Sequence, residues 1–493
     1  MCRCIGRGKL ELVVQELLPS VRAKASQSLA VGSTILALAV VCMLSGCGTS
    51  VTPGSGGLAS GSDTASELGA RSDTELGNKL NGQHQLIVAN TSLNVGLLQQ
   101  FYARHNFQPV WENHQAQANA LIDAIMGAGD QGLNPDWFHA KLLRQNSNLS
   151  SIDRDLLLSD AFLSYADALA RGVVPPERRG DDEVLKPEPI DVAAAVDNTL
   201  TRPDPAAAID ALAPTTPTYT ALLQALKTEQ FRNGVHGSRL HTIVVNLERQ
   251  RWLPRSLPAD RVWVNVADEQ LVFYSADNPV FSTRVVVGED IKINQSPEFS
   301  TKIDAAYYNP PWVIPSDIAA KEILPKAKLD PNYLVANNMV ALPGGEVEQL
   351  PGPDAGLGFL MFDMPNHFDV YLHDTPDRDI FSRANRRLSH GCIRVQNPRE
   401  LAALLMNQPT SEIDAGIEKG GTTRNDLPVP VPVFVVYETA FVDTHGVLQF
   451  RPDFYQRDAA IWNQMQMSPS GQATGTRPTL TGALRDGSSA HLT

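Results

Sequence analysis

Two hydrophobic periods divide the chain. From about residue 89 to 235, apolar residues recur at helical spacing. The run 155–171 places Leu157, Leu158, Ala161, Phe162, Tyr165 and Leu169 near one face; Gly172 stops it, and Pro175 and Pro176 block any continuation. The stretch 118–126, ended by Gly127, and the stretch 219–231 are predicted as two further helices. After about 240 the period falls to two. Val262, Val264 and Val266 alternate with Arg261, Trp263 and Asn265, and 271–274 and 280–287 continue as short strands between Asp, Asn, Gly and Pro. Residues 431–442, a turn at Asp443 to Gly446, and 447–450 read as a late β-hairpin. The pattern predicts an α+β protein, with a helical domain over 89–235 and a β-rich domain over 240–455.

The flanks carry neither period. Arg3, Arg7, Lys9, Arg22 and Lys24 precede an apolar run at 29–44, short of the roughly 20 residues that span a membrane. The run ends in Leu44-Ser45-Gly46-Cys47, which resembles a bacterial lipobox. That resemblance implies a signal peptide over 1–46, a lipid on Cys47 and an exported lipoprotein at the periplasmic face of the outer membrane. Residues 47–88 are Gly-, Ser- and Thr-rich and read as a flexible tether, and 466–493 as a disordered tail.

Charge narrows the function. The net charge is −13 and no long Lys/Arg run offsets it, which excludes a nucleic-acid footprint. Of the five cysteines, Cys2, Cys4 and Cys42 lie in the segment to be removed, so a lipid on Cys47 leaves Cys392 as the lone thiol. Exported proteins normally pair their cysteines, so Cys392 is either an inert buried residue or a thiol kept for its chemistry.

Its neighbours point to chemistry. Cys392 follows Ser389, His390 and Gly391, and a helix start follows, with Asn397 as cap, Pro398 at the first position and Glu400 three residues after the cap. A helix N-terminus near the sulfur would favour a thiolate. A thiolate nucleophile also needs a base. His390 would share a strand face with Cys392, while His373 ends the alternating segment Val370-Tyr371-Leu372-His373 and could return beside it through a hairpin. Both histidines stay open on spacing alone. His105, His114, His139, His236, His241, His367, His445 and His491 read as surface or structural residues, and most tryptophans as core.

Tyr371-Leu372-His373-Asp374 with Ser389-His390-Gly391-Cys392-Ile393-Arg394 resembles the signature of the L,D-transpeptidases of the YkuD-domain family. Asn246-Leu247-Glu248-Arg249, Arg251-Trp252-Leu253-Pro254, Asn309-Pro310 with Trp312, and Pro351-Gly352-Pro353 resemble its larger, YcbB-like branch. Phe101-Tyr102, Pro109-Val110-Trp111 and Gly132-Leu133 with Pro135 resemble that branch's helical scaffold.

The resemblance implies a helical scaffold followed by a β-rich YkuD-type catalytic domain with a capping segment. It implies Cys392 as nucleophile and His373 as general base and acid. His390, Gly391, Arg394 and Asp374 would support an oxyanion hole or orient the base, and Tyr371, Trp312 and Ser389 would line the cleft. The product would be a 3→3 cross-link between peptidoglycan stem peptides, formed through a thioester with release of D-alanine. No cofactor or metal is expected, because the sequence lacks the Cys-x-x-Cys and His-Glu-x-x-His spacings that a zinc site at His373, His390 and Cys392 would call for. Water or a lipoprotein lysine as acceptor gives the alternative activities of carboxypeptidase or anchoring enzyme; a non-catalytic wall-binding lipoprotein is a third. Ala355, Phe359 and Met361 stand where many relatives carry Asn, Arg and Lys, which removes two cations.

Overall fold

The computed structural model describes residues 74–82, 84–145, 149–233 and 238–467. The signal segment, Cys47, most of the expected tether and nearly all of the expected tail lie outside the described residues, but the end of the expected tether is folded: a short helix (Glu75–Leu80) and the strand Leu86–Val88 bury Leu76, Leu80 and Val88 in the helical core.

Helices α1 (Val95–Ala103), α2 (Gln115–Met126), α3 (Ser151–Arg171), α4 (Val192–Thr199) and α5 (Pro217–Asn233), with shorter turns between them, build the first domain. The long helix α3 is its axis. Ser150 caps it by accepting from the Asp153 N–H, and Gly172 ends it with φ 84°. Its apolar face buries Leu157, Ala161, Phe162, Tyr165 and Leu169. Buried polar groups fix the register of its neighbours: the Asp155 carboxylate accepts from Tyr102 Oη at 2.5 Å and from the Trp111 N–H at 2.8 Å. Burial pushes the Asp155 carboxyl up despite these donors.

Helicity does not stop where the apolar period does. Helix α6 (Ser238–Gln250) runs past residue 240, and its buried side chains include Asn246, Glu248 and Arg249. Glu248 Oε1 accepts from the Val173 and Val174 N–H groups at 2.7 and 2.8 Å, just past the end of α3. Asn246 exchanges two bonds with Thr439, and Gln250 donates to Glu438. The polar motif that marks this segment is a clamp between the helical domain and the end of the sheet.

The second domain holds β3 (Arg261–Asn265), β4 (Gln270–Ser275), β5 (Asn278–Gly288), β6 (Phe299–Tyr308), β10 (Leu360–Asp363), β11 (Leu372–His373), β12 (Arg387–Ser389), β13 (Ile393–Val395) and β14 (Thr423–Val436). Here β1 (Leu86–Val88) and β2 (Thr91–Leu93) are a hairpin in the first domain, and β7 (Trp312–Ile314), β8 (Met339–Ala341) and β9 (Val347–Gln349) belong to the cap. The nine strands order as β12-β5-β13-β11-β10-β6-β14-β3-β4, and a further β4–β5 pairing joins β4 at one end to β5, next to β12 at the other. Pro432 is tolerated in β14 because β3 begins to pair only at Val433, so no ladder donor is needed on that side. The expected strand over 431–442 divides: β14 ends at Val436, and β15 (Ala440–Val442) starts a separate hairpin with β16 (Leu448–Phe450).

Helices α7 (Pro398–Met406) and α8 (Thr410–Glu418) cover one face of the sheet. The Tyr308 ring lies so close to Gly416 that a Cβ there would sit 2.4 Å from it. Residues 312–349 form the cap, with the sheet order β7-β9-β8 and a small core of Ile314, Ile318, Ile323, Met339 and Val347.

Candidate active site

The site grows from the pairing of β11 and β13. These strands are parallel, with Leu372 beside Ile393 and His373 beside Arg394, and the Ile393 N–H donates to the Tyr371 carbonyl at 2.9 Å. A parallel neighbour needs a crossover rather than the hairpin expected from spacing. Residues 374–392 supply it through a 3-10 turn (Arg378–Ser382) and β12, which itself pairs with β5. Side chains alternate along a strand, so the paired His373 and Arg394 share one face and the paired Leu372 and Ile393 the other, with Cys392 one residue ahead of β13. Extended by one residue, that register sets Cys392 diagonal to His373 along the two strands.

His373 is buried, and its Nδ1 lies 2.6 Å from the Asp374 carbonyl oxygen. A carbonyl only accepts, so Nδ1 carries the proton and Nε2 is left basic. The Asp374 carboxylate serves the surroundings. Oδ1 takes Arg378 Nη1 at 2.7 Å, and Oδ2 takes the Phe359 N–H at 3.0 Å. Gly358 is required beside it: φ is +60°, and a Cβ would lie 2.6 Å from the Asp374 carboxyl.

Cys392 sits at the lip of the apolar core with 4% of its surface exposed. Its sulfur faces the Asp369 carbonyl at 3.9 Å. That carbonyl belongs to a turn that Asn366 organises by accepting from the Phe368 and Val370 N–H groups and donating to the Met364 and Val370 carbonyls. The sequence reading missed Asn366 and Asp369; only the Asx-turn potential of Asn366 signals them.

Several expected positions change meaning. The helix start does not adjoin the sulfur: β13 lies between Cys392 and the cap residue Asn397, roughly 16 Å at strand rise, beyond the reach of a helix terminus. Asn397 makes no side-chain cap bond. Gly391, at φ +115°, breaks the strand, so His390 does not share the Cys392 face; its Nε2 instead meets Glu322 Oε1 of the cap at 3.0 Å. The Gly391 N–H donates to Ser389 Oγ at 3.1 Å, which takes it away from an oxyanion hole. Ser389 is buried and donates in turn to the Cys392 carbonyl, so it braces the loop rather than lining a cleft. Ser296 Oγ, missed in the sequence, holds the Gly391 carbonyl at 2.8 Å.

Arg394 is half-buried, in register between His373 and Val286. Trp312 packs against both the cap core and the catalytic core, with its ring 3.1 Å from where a Gly356 Cβ would stand. Met361 lies directly across from His373 on β10, Phe359 stacks near the Arg399 guanidinium, and Ala355 is buried in a turn. Among the described residues, no group of three His, Cys, Asp or Glu side chains is placed to hold a metal ion.

A buried histidine held by a carbonyl and a buried cysteine just ahead of the neighbouring parallel strand mark the candidate site of the β-rich domain, which follows a helical one. Residues 96–226 match the family described as the Scaffold domain, and residues 259–433 match YkuD, the L,D-transpeptidase catalytic domain. The YkuD match lies within the second domain. A Haemophilus influenzae protein named "Putative L,D-transpeptidase" is 29% identical over 242 residues, which cover 44% of this chain and 48% of that protein. The chain thus spans about half the length of the curated relative it matches. Two solved structures overlap at a TM-score of 0.19 each. An avibactam carbamoyl enzyme is 13% identical, with 36% of this chain and 49% of that one covered. An Enterococcus faecium L,D-transpeptidase mutant is 12% identical, with 39% and 62% covered.

Proposed function

We propose that this protein is a peptidoglycan L,D-transpeptidase of the YcbB-like branch, working through Cys392 and His373. The observation that supports the reading is the β11–β13 register, in which His373 pairs with Arg394, two residues after Cys392, while the Asp374 carbonyl accepts from the imidazole. Cys392 Sγ attacks the carbonyl carbon of diaminopimelate at position three of a donor tetrapeptide, and His373 Nε2 takes the thiol proton. The same nitrogen returns the proton to the departing D-alanine amine, leaving a thioester. The amine of a second stem then attacks the thioester and gives its proton to His373, restoring the thiol and forming the 3→3 link. With the Gly391 N–H engaged, the backbone N–H of Cys392 is the remaining main-chain candidate for the developing oxyanion. Arg394 supports the loop or meets a substrate carboxylate.

The chain start adds an address: a signal peptide over 1–46, a lipid on Cys47 and a place at the periplasmic face of the outer membrane. Incubation with disaccharide tetrapeptide, read by mass spectrometry, tests the reading. Dimers lacking one D-alanine are the expected product, and Cys392→Ala should abolish them. Tripeptide alone indicates a carboxypeptidase, and an unchanged substrate beside an active control enzyme overturns the proposal.

A further inference from the structure

The peptide group between Gly391 and Cys392 is held from outside its own loop. Its carbonyl accepts from Ser296 Oγ at 2.8 Å, and the same hydroxyl accepts from the Gly288 N–H at 3.0 Å. A trans peptide is planar and points its C=O and N–H in opposite directions, so a grip on the Gly391 carbonyl also aims the Cys392 N–H. Ser296 is fully buried, and its own main chain is held in turn. Its N–H donates to Tyr455 Oη at 3.2 Å, and its carbonyl accepts from Arg457 Nη2 at 3.0 Å.

Arg457 carries the grip into the other domain. Its Nη2 also donates to Asp182, and its Nη1 donates to Glu298 Oε1 at 3.1 Å. Asp182 follows α3 and lies within residues 96–226, which match the Scaffold domain. Its segment runs beside the residue that precedes β6: the Glu298 N–H donates to the Asp182 carbonyl at 2.6 Å, and the Val184 N–H to the Glu298 carbonyl at 2.9 Å. A planar guanidinium shared between a carboxylate of one domain and a carbonyl of the other ties their positions together.

We infer that Ser296 is a positioning residue for the thiol loop, and that Asp182 of the helical domain acts on it through Arg457. The inference rests on the transpeptidase reading for the use of the Cys392 N–H as an oxyanion donor. It gives the helical domain a part in the reaction without contact to the reacting atoms.

Two variants of the full chain test this. Ser296→Ala removes the hydroxyl, while Asp182→Ala removes a carboxylate 22% exposed and keeps the main-chain bonds. Losing an oxyanion donor costs about 10²–10³-fold, so misaiming one should cost about tenfold in kcat for Ser296→Ala and about threefold for Asp182→Ala. KM for the disaccharide tetrapeptide should stay unchanged in both. The double variant should lose no more than Ser296→Ala alone, because the route is already cut. Iodoacetamide alkylation of Cys392, mapped by mass spectrometry, reads the loop without turnover and should change severalfold in both single variants. A wild type without transpeptidase activity therefore leaves that arm standing. If Ser296→Ala fails to fold, Asp182→Ala decides. Unchanged kcat and alkylation in Asp182→Ala, a change in KM alone, or losses that multiply in the double variant overturn the inference.

Discussion

His373 Nδ1 meets the main-chain carbonyl of Asp374, not a carboxylate, at 2.6 Å. A backbone acceptor is present whatever side chain follows, so the tautomer of His373 is set by chain geometry. The Asp374 carboxylate holds Arg378 and the Phe359 N–H instead. Asp374→Asn keeps an acceptor for Phe359 and should reduce turnover by less than about tenfold. On the proposed mechanism His373→Ala removes the base and should cost about 10²–10⁴-fold. Steady-state rates of D-alanine release from the two variants check the contrast; equal losses would show that the carboxylate orients the ring.

Gly391 carries a different burden. Its φ of +115° is reached easily only by glycine, although a Cβ would meet nothing nearer than the Gln295 carbonyl oxygen at 3.5 Å. Conformation, not space, forbids a side chain there. Gly391→Ala should destabilise by about 1–3 kcal/mol or let the loop relax and shift Cys392. Denaturant melts paired with the rate of thiol alkylation separate the two; an unchanged melt with unchanged alkylation and activity would refute the strain.

The link between His390 Nε2 and Glu322 Oε1 ties the cap to the loop that carries Cys392. Both side chains are partly exposed, so the pair is worth no more than about 1 kcal/mol. Glu322→Gln should therefore leave the fold intact while speeding hydrogen exchange in residues 316–349 by a few fold. High salt should do the same to the wild type and little to the variant. Exchange rates that match in both proteins at low salt would remove the pair as a latch.

These relationships differ in how far the sequence exposed them. Helices α3 and α5 were legible because their buried faces are apolar at helical spacing, and β3 and β4 because Val262 and Val264, and Leu271 and Phe273, alternate along them, whereas β5 ends in the consecutive buried Val285, Val286 and Val287. Helix α6 hid its extent, since Asn246, Glu248 and Arg249 are buried through polar bonding, which hydrophobic periodicity does not register. Cys392 and His373 stood out by type and motif. The partner of His390 did not: Glu322 lies in a distant segment, and only the turn at Gly391 aims the ring at it. Ser389 looked like a cleft residue for the same reason, because its two bonds inside the loop exist only once that turn forms.

The junction between the domains gives the clearest pH dependence. Glu438 is pushed up to about 8 by burial, against the nearby Arg249 and the Gln250 donor, with Glu298 adding to the rise. Glu298 is itself pushed up to about 7 by burial, opposed by Arg457 and Arg249. Both folded values lie above the ordinary Glu value of 4.5, so the folded state holds protons that the unfolded chain gives up. The stability these groups contribute is whole below about pH 4.5 and is lost as pH climbs through 7 to 8. Glu438→Gln keeps an oxygen to accept from Gln250 and cannot ionise. Its melting temperature should therefore fall less between pH 5.5 and 8.5 than that of the wild type, and the two curves should diverge above about pH 7. Parallel curves across that range would mean that Glu438 stays charged in the folded protein, with Arg249 outweighing its burial.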